Sequence, residues 1–149
     1  MSNPNIEIKN RRASFEFSFL EKFVAGLVLV GTEIKSIREG KANITEAFCV
    51  FEKDELWLRN AQVDEYEKAK HYNHNPRRDR KLLLTKHELR KLQTKLKDQG
   101  LTIIPLRLFL SEKGLAKLEI ALAKGKKLFD KREDIKKRDM QRETNRKFK

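Results

Sequence analysis

The 149-residue sequence predicts a mainly β domain closed into a barrel, with flanking helices and a basic C-terminal tail. Three observations carry that prediction. Short apolar segments alternate with period two between polar turns, from Phe15-x-Phe17-x-Phe19 to Leu118-x-Ile120-x-Leu122. Two segments with helical spacing interrupt them, one opening on Thr85-x-x-Glu88, a capping box. The charge is divided as well. Residues 1–123 carry 23 basic and 17 acidic side chains, a net of +6, and residues 124–149 carry 12 and 5, a net of +7. The domain is therefore expected over 1–123 and the tail over 124–149.

Each element follows from its residues. In 13–30, ASFEFSFLEKFVAGLVLV, the alternating phenylalanines give a half-buried strand, Gly26 a bend or bulge, and Leu27–Val30 a second strand. Thr32 as N-cap, Ile34 and Ile37 one turn apart, and Gly40 as stop predict a short helix with Lys35 and Arg38 off its apolar side. Phe48–Phe51 and Leu56–Leu58 flank the polar connection Glu52–Glu55 and read as a hairpin. Asp64–Arg80 has no periodicity and reads as a long, basic, mobile loop. Leu89, Leu92 and Leu96 form the stripe of the second helix, closed by Gly100. Leu101–Leu110 and Leu115–Ala123 form a last hairpin, with Pro105 marking an edge or bulge. About six antiparallel strands and two helices in such a short chain predict an OB-type barrel, because closure removes exposed edges.

The tail, KGKKLFDKREDIKKRDMQRETNRKFK, has no apolar stripe and cannot offset its ordering entropy. Glu133–Lys137 and Asp134–Arg138 are favourable i, i+4 pairs, each worth ~0.2–0.5 kcal/mol. Composition leaves two readings: a tail disordered when free whose latent helicity a polyanion brings out, or a solvated tail that aids solubility.

Several chemistries are set aside. No apolar run reaches the ~18–20 residues of a membrane span, and the polar N-terminus has no signal region. The single Cys49 excludes a disulfide framework and reads as a small core residue. His71 and His74 could be joined by Asp79 but have no obvious fourth ligand and stand among Arg77, Arg78 and Arg80, which repel a cation; solvent- or RNA-facing histidines are expected instead. There is no G-x-G-x-x-G, P-loop or G-x-S-x-G, so neither an enzyme nor a cofactor is expected. What remains is a basic surface: Asn10-Arg11-Arg12, Lys35 with Arg38, Arg77–Lys81 and Lys124–Lys127. If they converge they make an RNA-binding face; if they spread they are ordinary solvated charge.

Six strings then resemble, in order, those of the SsrA-binding protein (small protein B) family. They are Asn10-Arg-Arg-Ala13, Ala25-Gly-Leu-Val-Leu29, Gly31-Thr-Glu-Ile-Lys-Ser-Ile-Arg38, Gly40-Lys-Ala-Asn43, Pro76-x-Arg-x-Arg-Lys-Leu-Leu-Leu84 and Ala123-Lys-Gly-Lys-Lys-x-x-Asp-Lys-Arg132. The resemblance implies a cytoplasmic, monomeric ribosome-rescue factor with an OB-type barrel, free of membrane. Such a factor binds the tRNA-like domain of transfer-messenger RNA and, with elongation factor Tu and GTP, brings it to stalled ribosomes. The body would stand in for a codon–anticodon stem at the decoding-centre rRNA. The tail would probe the empty mRNA channel and fold there as a helix.

By motif, the resemblance carries RNA contact to Asn10, Arg11, Glu33, Lys35, Ser36, Arg38, Lys124, Lys126 and Lys127. It carries ribosome contact to Phe129, Asp130, Lys131 and Arg132, followed by Lys136, Lys137 and Arg138. The chain departs from the family at Val24 (commonly Glu), Phe15 (often His) and Phe129 (His or Tyr). Two rivals stand beside this reading: a structural ribosomal protein whose tail packs into rRNA, and a metal-dependent nuclease using His71 and His74.

Overall fold

The computed structural model of the chain describes residues 6–98 and 100–126. Their elements run β1 (Glu7–Lys9), α1 (Ala13–Glu16), β2 (Phe17–Leu27), α2 (Gly31–Arg38), β3 (Ala42–Asn43) and β4 (Phe48–Glu52). There follow β5 (Glu55–Arg59), β6 (Gln62–Val63), β7 (Arg80–Leu83), α3 (Lys86–Lys95), β8 (Leu101–Leu110) and β9 (Ala116–Gly125). Hydrogen bonding passes from β8 through β4, β5, β7 and β2 to β9, which pairs back onto β8. Six antiparallel strands thus close a ring, the number expected, but β7 stands in it in place of the separate strand read at Leu27–Val30. β8 also takes β1 along Arg107–Phe109, and β3 and β6 form a separate short ladder. These three short strands and α1 lack the repeated alternation that exposes an element to sequence reading. The side chains of Leu56, Leu58, Leu82, Ile103, Leu118, Ile120 and Leu122 fill the barrel. Cys49 is buried among them, which pushes its thiol pKa up and leaves it a packing group.

The first long strand departs from the reading in two ways. Ala13–Glu16 form a helical turn, and β2 continues unbroken through Gly26. The irregularity lies earlier, where Phe19 pairs with Ala123 but Glu21 with Leu122. The extra residue, Leu20, is a β-bulge, and it reverses which side chains face inward. Before it, Phe17 and Phe19 pack with Ala13, Ile104, Ala121 and Ala123 in a small outer cluster; after it, Phe23, Ala25 and Leu27 join the main core. Gly26 lies within the strand, where a Cβ would meet the Leu83 Cβ at 3.4 Å in ordinary contact, so neither a bend nor a close approach calls for glycine there.

The hairpin connection is also shorter than read. Glu52 pairs with Glu55, and only Lys53 and Asp54 turn, both at positive φ (51° and 64°). Glu52 and Glu55, directly opposite each other, are relieved by Arg59 and Lys81 respectively. Left-handed backbone costs non-glycine residues about 1–2 kcal/mol each. Lys53-Asp54→Asn-Gly is therefore expected to stabilise the domain by roughly 1 kcal/mol, seen as a higher urea midpoint at unchanged slope.

The later elements follow the reading closely. In α3, Thr85 Oγ1 accepts from the Glu88 N–H at 3.2 Å and Glu88 Oε1 from the Thr85 N–H at 3.1 Å, while Leu92 is buried in the core. Pro105 does mark a bulge, the β8–β9 register slipping between Pro105 and Arg107. β9 runs through Lys124 and Gly125, two residues past the expected 123/124 boundary. The connection read as mobile is tied down: Val63 N–H donates to Pro76 O at 2.9 Å, and the Asn73 amide bonds both the N–H and the carbonyl of Tyr66. Among the described residues no helix is long and apolar enough to cross a membrane.

Candidate nucleic-acid interface

The local geometry starts from a buried carboxylate. Glu33, in the first turn of α2, is fully buried, and Arg80 Nε and Arg78 Nη2 donate to its two oxygens at 2.5 and 2.6 Å. Arg80, also fully buried, donates in addition to Ala61 O and Pro76 O at 3.1 Å. Burial raises the Glu33 pKa, but the hydrogen bonds from Arg78 and the Val30 N–H and the charge of Arg80 outweigh it and hold the carboxyl below its ordinary range. Burial lowers the Arg80 pKa, with Glu33 opposing; a guanidinium stays charged regardless. The helix therefore begins differently from the reading. Val30 is the N-cap, with Glu33 Oε1 accepting its N–H at 3.0 Å, and Thr32 is free to face another element.

That element is the 64–79 connection. Thr32 Oγ1 lies 2.9 Å from His74 Nδ1, and His74 Nε2 lies 2.8 Å from the Val63 carbonyl. A carbonyl only accepts, so Nε2 carries a proton, and in the neutral ring Nδ1 accepts from the Thr32 hydroxyl. His74 is thus a buried clamp, neither solvent-facing nor free to ligate, whereas His71 is exposed. Among the described residues no three His, Cys, Asp or Glu side chains gather as a metal group.

Clamp and ion pairs together shape a cleft of about 470 Å³ lined by Val30, Thr32, Lys35, Tyr72, His74 and Arg78. Lys35 is exposed and stands 5.5 Å over the Tyr66 ring, and Tyr72 is 88% exposed. A cation beside an uncovered aromatic face can take a phosphate and a stacked base together. Leu20 and Val24 of β2 and Val28 just beyond its end are exposed, as is Leu83 of β7, which pairs with Gly26. A second cleft, of about 290 Å³, is lined by Lys9, Arg11, Phe19, Lys22, Arg107 and Glu119. There Lys22 lies over Phe19, while Arg107 is compensated by Glu7 and Glu119.

The residues singled out from the sequence divide accordingly. Lys35, Arg38, Arg11 and Lys124 are exposed. Glu33 and Ser36 are fully buried, so neither presents a surface to RNA; Glu33 positions α2, and Ser36 Oγ makes no hydrogen bond among the described residues. Asn10 is an anchor: its N–H and Nδ2 donate to Leu106 O and Pro105 O at 2.8 and 2.9 Å, taking the carbonyls of the β8 bulge. The basic stretch 77–81 is largely engaged: Arg77 by Asn60, Arg78 and Arg80 by Glu33, and Lys81 by Glu55. The Lys126 N–H donates to Glu16 O at 2.9 Å, fastening the exit of β9 to the end of α1. Lys127, Phe129, Asp130, Lys131, Arg132, Lys136, Lys137 and Arg138 lie outside the described residues. Sequence reading misses Lys22 and Tyr72. The parity of β2 beyond its bulge would expose Lys22; Tyr72 gives no signal, because the clamp on His74 two residues later is a long-range contact.

A family model described as SmpB protein matches residues 7–149. The SsrA-binding protein of Christiangramia forsetii is 60% identical over 142 residues, covering 95% of this chain and 90% of the relative. That of Cytophaga hutchinsonii is 59% identical over 142 residues, covering 95% and 93%. That of Bacteroides thetaiotaomicron is 54% identical over 149 residues, covering 100% and 99%. A solved structure described as "tmRNA-SmpB: a journey to the center of the bacterial ribosome" superposes with a TM-score of 0.70 at 47% identity, covering 83% of this chain and 86% of that one.

Proposed function

The chain belongs to the SmpB protein family, and on that premise we propose that it binds transfer-messenger RNA in trans-translation. In this reading it delivers the RNA, with elongation factor Tu and GTP, to stalled ribosomes. The body holds the tRNA-like domain and the basic tail probes the empty mRNA channel. The observation that carries the proposal is the family match, which spans the barrel and the basic tail together.

The geometry supports it in physical terms. Lys35 and Tyr72 offer the α2 cleft a phosphate contact and a stacking face, the combination that single-stranded or tRNA-like RNA requires. The Lys9–Arg11–Lys22 cleft is a second basic surface with no lining residue in common with the first. Two separate surfaces suit a protein that holds one RNA while meeting another. Glu33 and Asn10 serve this function as positioning residues. The family is one of RNA-binding factors, and no reaction is assigned to the chain.

The test is the RNA that the chain retains. Affinity-tagged protein purified from cells is expected to carry one small stable RNA, identified by sequencing, in large excess over its share of total RNA. Its amount on ribosomes is expected to be far below one per particle. Recovery of one copy per ribosome without that RNA would establish the rival, a structural ribosomal protein.

A further inference from the structure

Helix α3 divides its cations into two sets. Lys91 and Lys95 both reach back to Glu21 of β2, and Leu89, Leu92 and Leu96 pack on the core, so the helix is fixed on the barrel. Facing away from Lys91 and Lys95, a stripe of Lys86, Arg90 and Gln93 follows i, i+4, i+7 spacing along about 10 Å of helix axis, and Lys97 stands in the turn just past the helix end at Lys95. The side chains of Lys86, Arg90 and Lys97 are exposed, and none of the three side chains has an ion pair or hydrogen bond among the described residues. The helix has one acid, Glu88, whose carboxylate is held at the N-terminus by the Thr85 N–H and hydroxyl and pairs with none of the three. Gln93 donates to Asp54 at 2.9 Å, so the β4–β5 turn adjoins the stripe, but its Lys53 cancels Asp54; with Asp98 included, the face stays positive.

We propose that this outer stripe of α3 is a third RNA-backbone contact, distinct from both clefts and sharing no lining residue with them. The proposal rests on the RNA-binding reading above. The chemistry selects phosphate. A membrane-surface helix or a helix seated in a partner's groove needs an exposed apolar anchor, and every apolar side chain of α3 faces the barrel. Two cations on a helix fixed to the barrel, with a third in the turn that follows it, instead match a row of phosphates, releasing counterions as they bind. The phosphates belong either to the tRNA-like RNA or to ribosomal RNA.

The test uses the full chain with Lys86→Gln, Arg90→Gln and Lys97→Gln combined. Its control, Lys68→Gln, Lys70→Gln and Lys113→Gln, removes equal charge from exposed sites elsewhere. Binding to transfer-messenger RNA and to deproteinised small-subunit rRNA is measured against salt. Because the stripe variant can no longer neutralise the phosphates facing α3, the slope of log K against log salt is expected to become shallower by about 2 for one of the two RNAs, which identifies the source. The control is expected to change either slope by much less. Unchanged slopes with both RNAs, or equal changes in stripe and control variants, overturn the proposal. So does weaker binding to intact ribosomes with both RNA slopes unchanged, which points to an acidic protein. If the unsubstituted chain binds neither RNA, the RNA-binding reading itself fails.

Discussion

Glu33→Gln is expected to cost about 3–5 kcal/mol of folding stability, because it strands the fully buried Arg80 and the half-buried Arg78 without their anion. For a domain of this size that lowers Tm by on the order of 10–20 °C. The double variant Glu33→Gln/Arg80→Met is expected to cost less than its two parts together, since no fully buried charge is then left alone. The pH dependence follows from the sign of the shift. Burial raises the Glu33 pKa, its donors more than reverse this, and the folded value lies below the unfolded one. The pair's contribution is therefore present above the ordinary carboxyl range and is lost as pH falls through the depressed folded value. Urea unfolding from neutral pH downward should show that acid-side loss in the native chain and a smaller one in Glu33→Gln. Equal stability of the two at pH 7 would mean that the ion pairs do not hold α2.

The second large effect concerns the tail. Deleting residues 130–149 is expected to leave binding to the tRNA-like RNA unchanged while abolishing tagging on stalled ribosomes. The deletion spares both clefts and the whole of β9. It removes much of a segment with a net charge of +7 in 26 residues. Such a segment is drawn to an rRNA-lined channel, and mRNA, another polyanion, competes for the same space. Filter binding and a tagging assay on ribosomes lacking a stop codon check the two halves. Loss of both activities to the same degree would refute the division between body and tail.

How far the sequence can be read depends on the range of the interactions involved. Period-two alternation in β9, the Thr85–Glu88 cap and the Pro105 bulge are set by neighbours a few residues apart, and they are legible. The Leu20 bulge is not, because an extra residue in β2 has meaning only against β9. Glu33 and Asn10 look like contact residues because they sit in motifs beside cations. The contacts that hold them in place come from Arg80, 47 positions away, and Pro105, 95 positions away. Tyr72 stays hidden within a connection that reads as mobile, since the clamp from Thr32 to His74 crosses 42 residues.

The sequence by itself determined a β barrel with helices, a chain whose net charge is split between domain and tail, and the family whose strings it carries. These rest on composition, on periodicity and on motifs contiguous in the chain. Only the tertiary structure decided which cations are available to RNA. An Arg whose partner is buried across the barrel and a Lys with no partner are the same letter class in the sequence. Burial and long-range pairing turn Arg78 and Arg80 into scaffold and leave Lys35, Lys22 and the outer face of α3 free to meet phosphate.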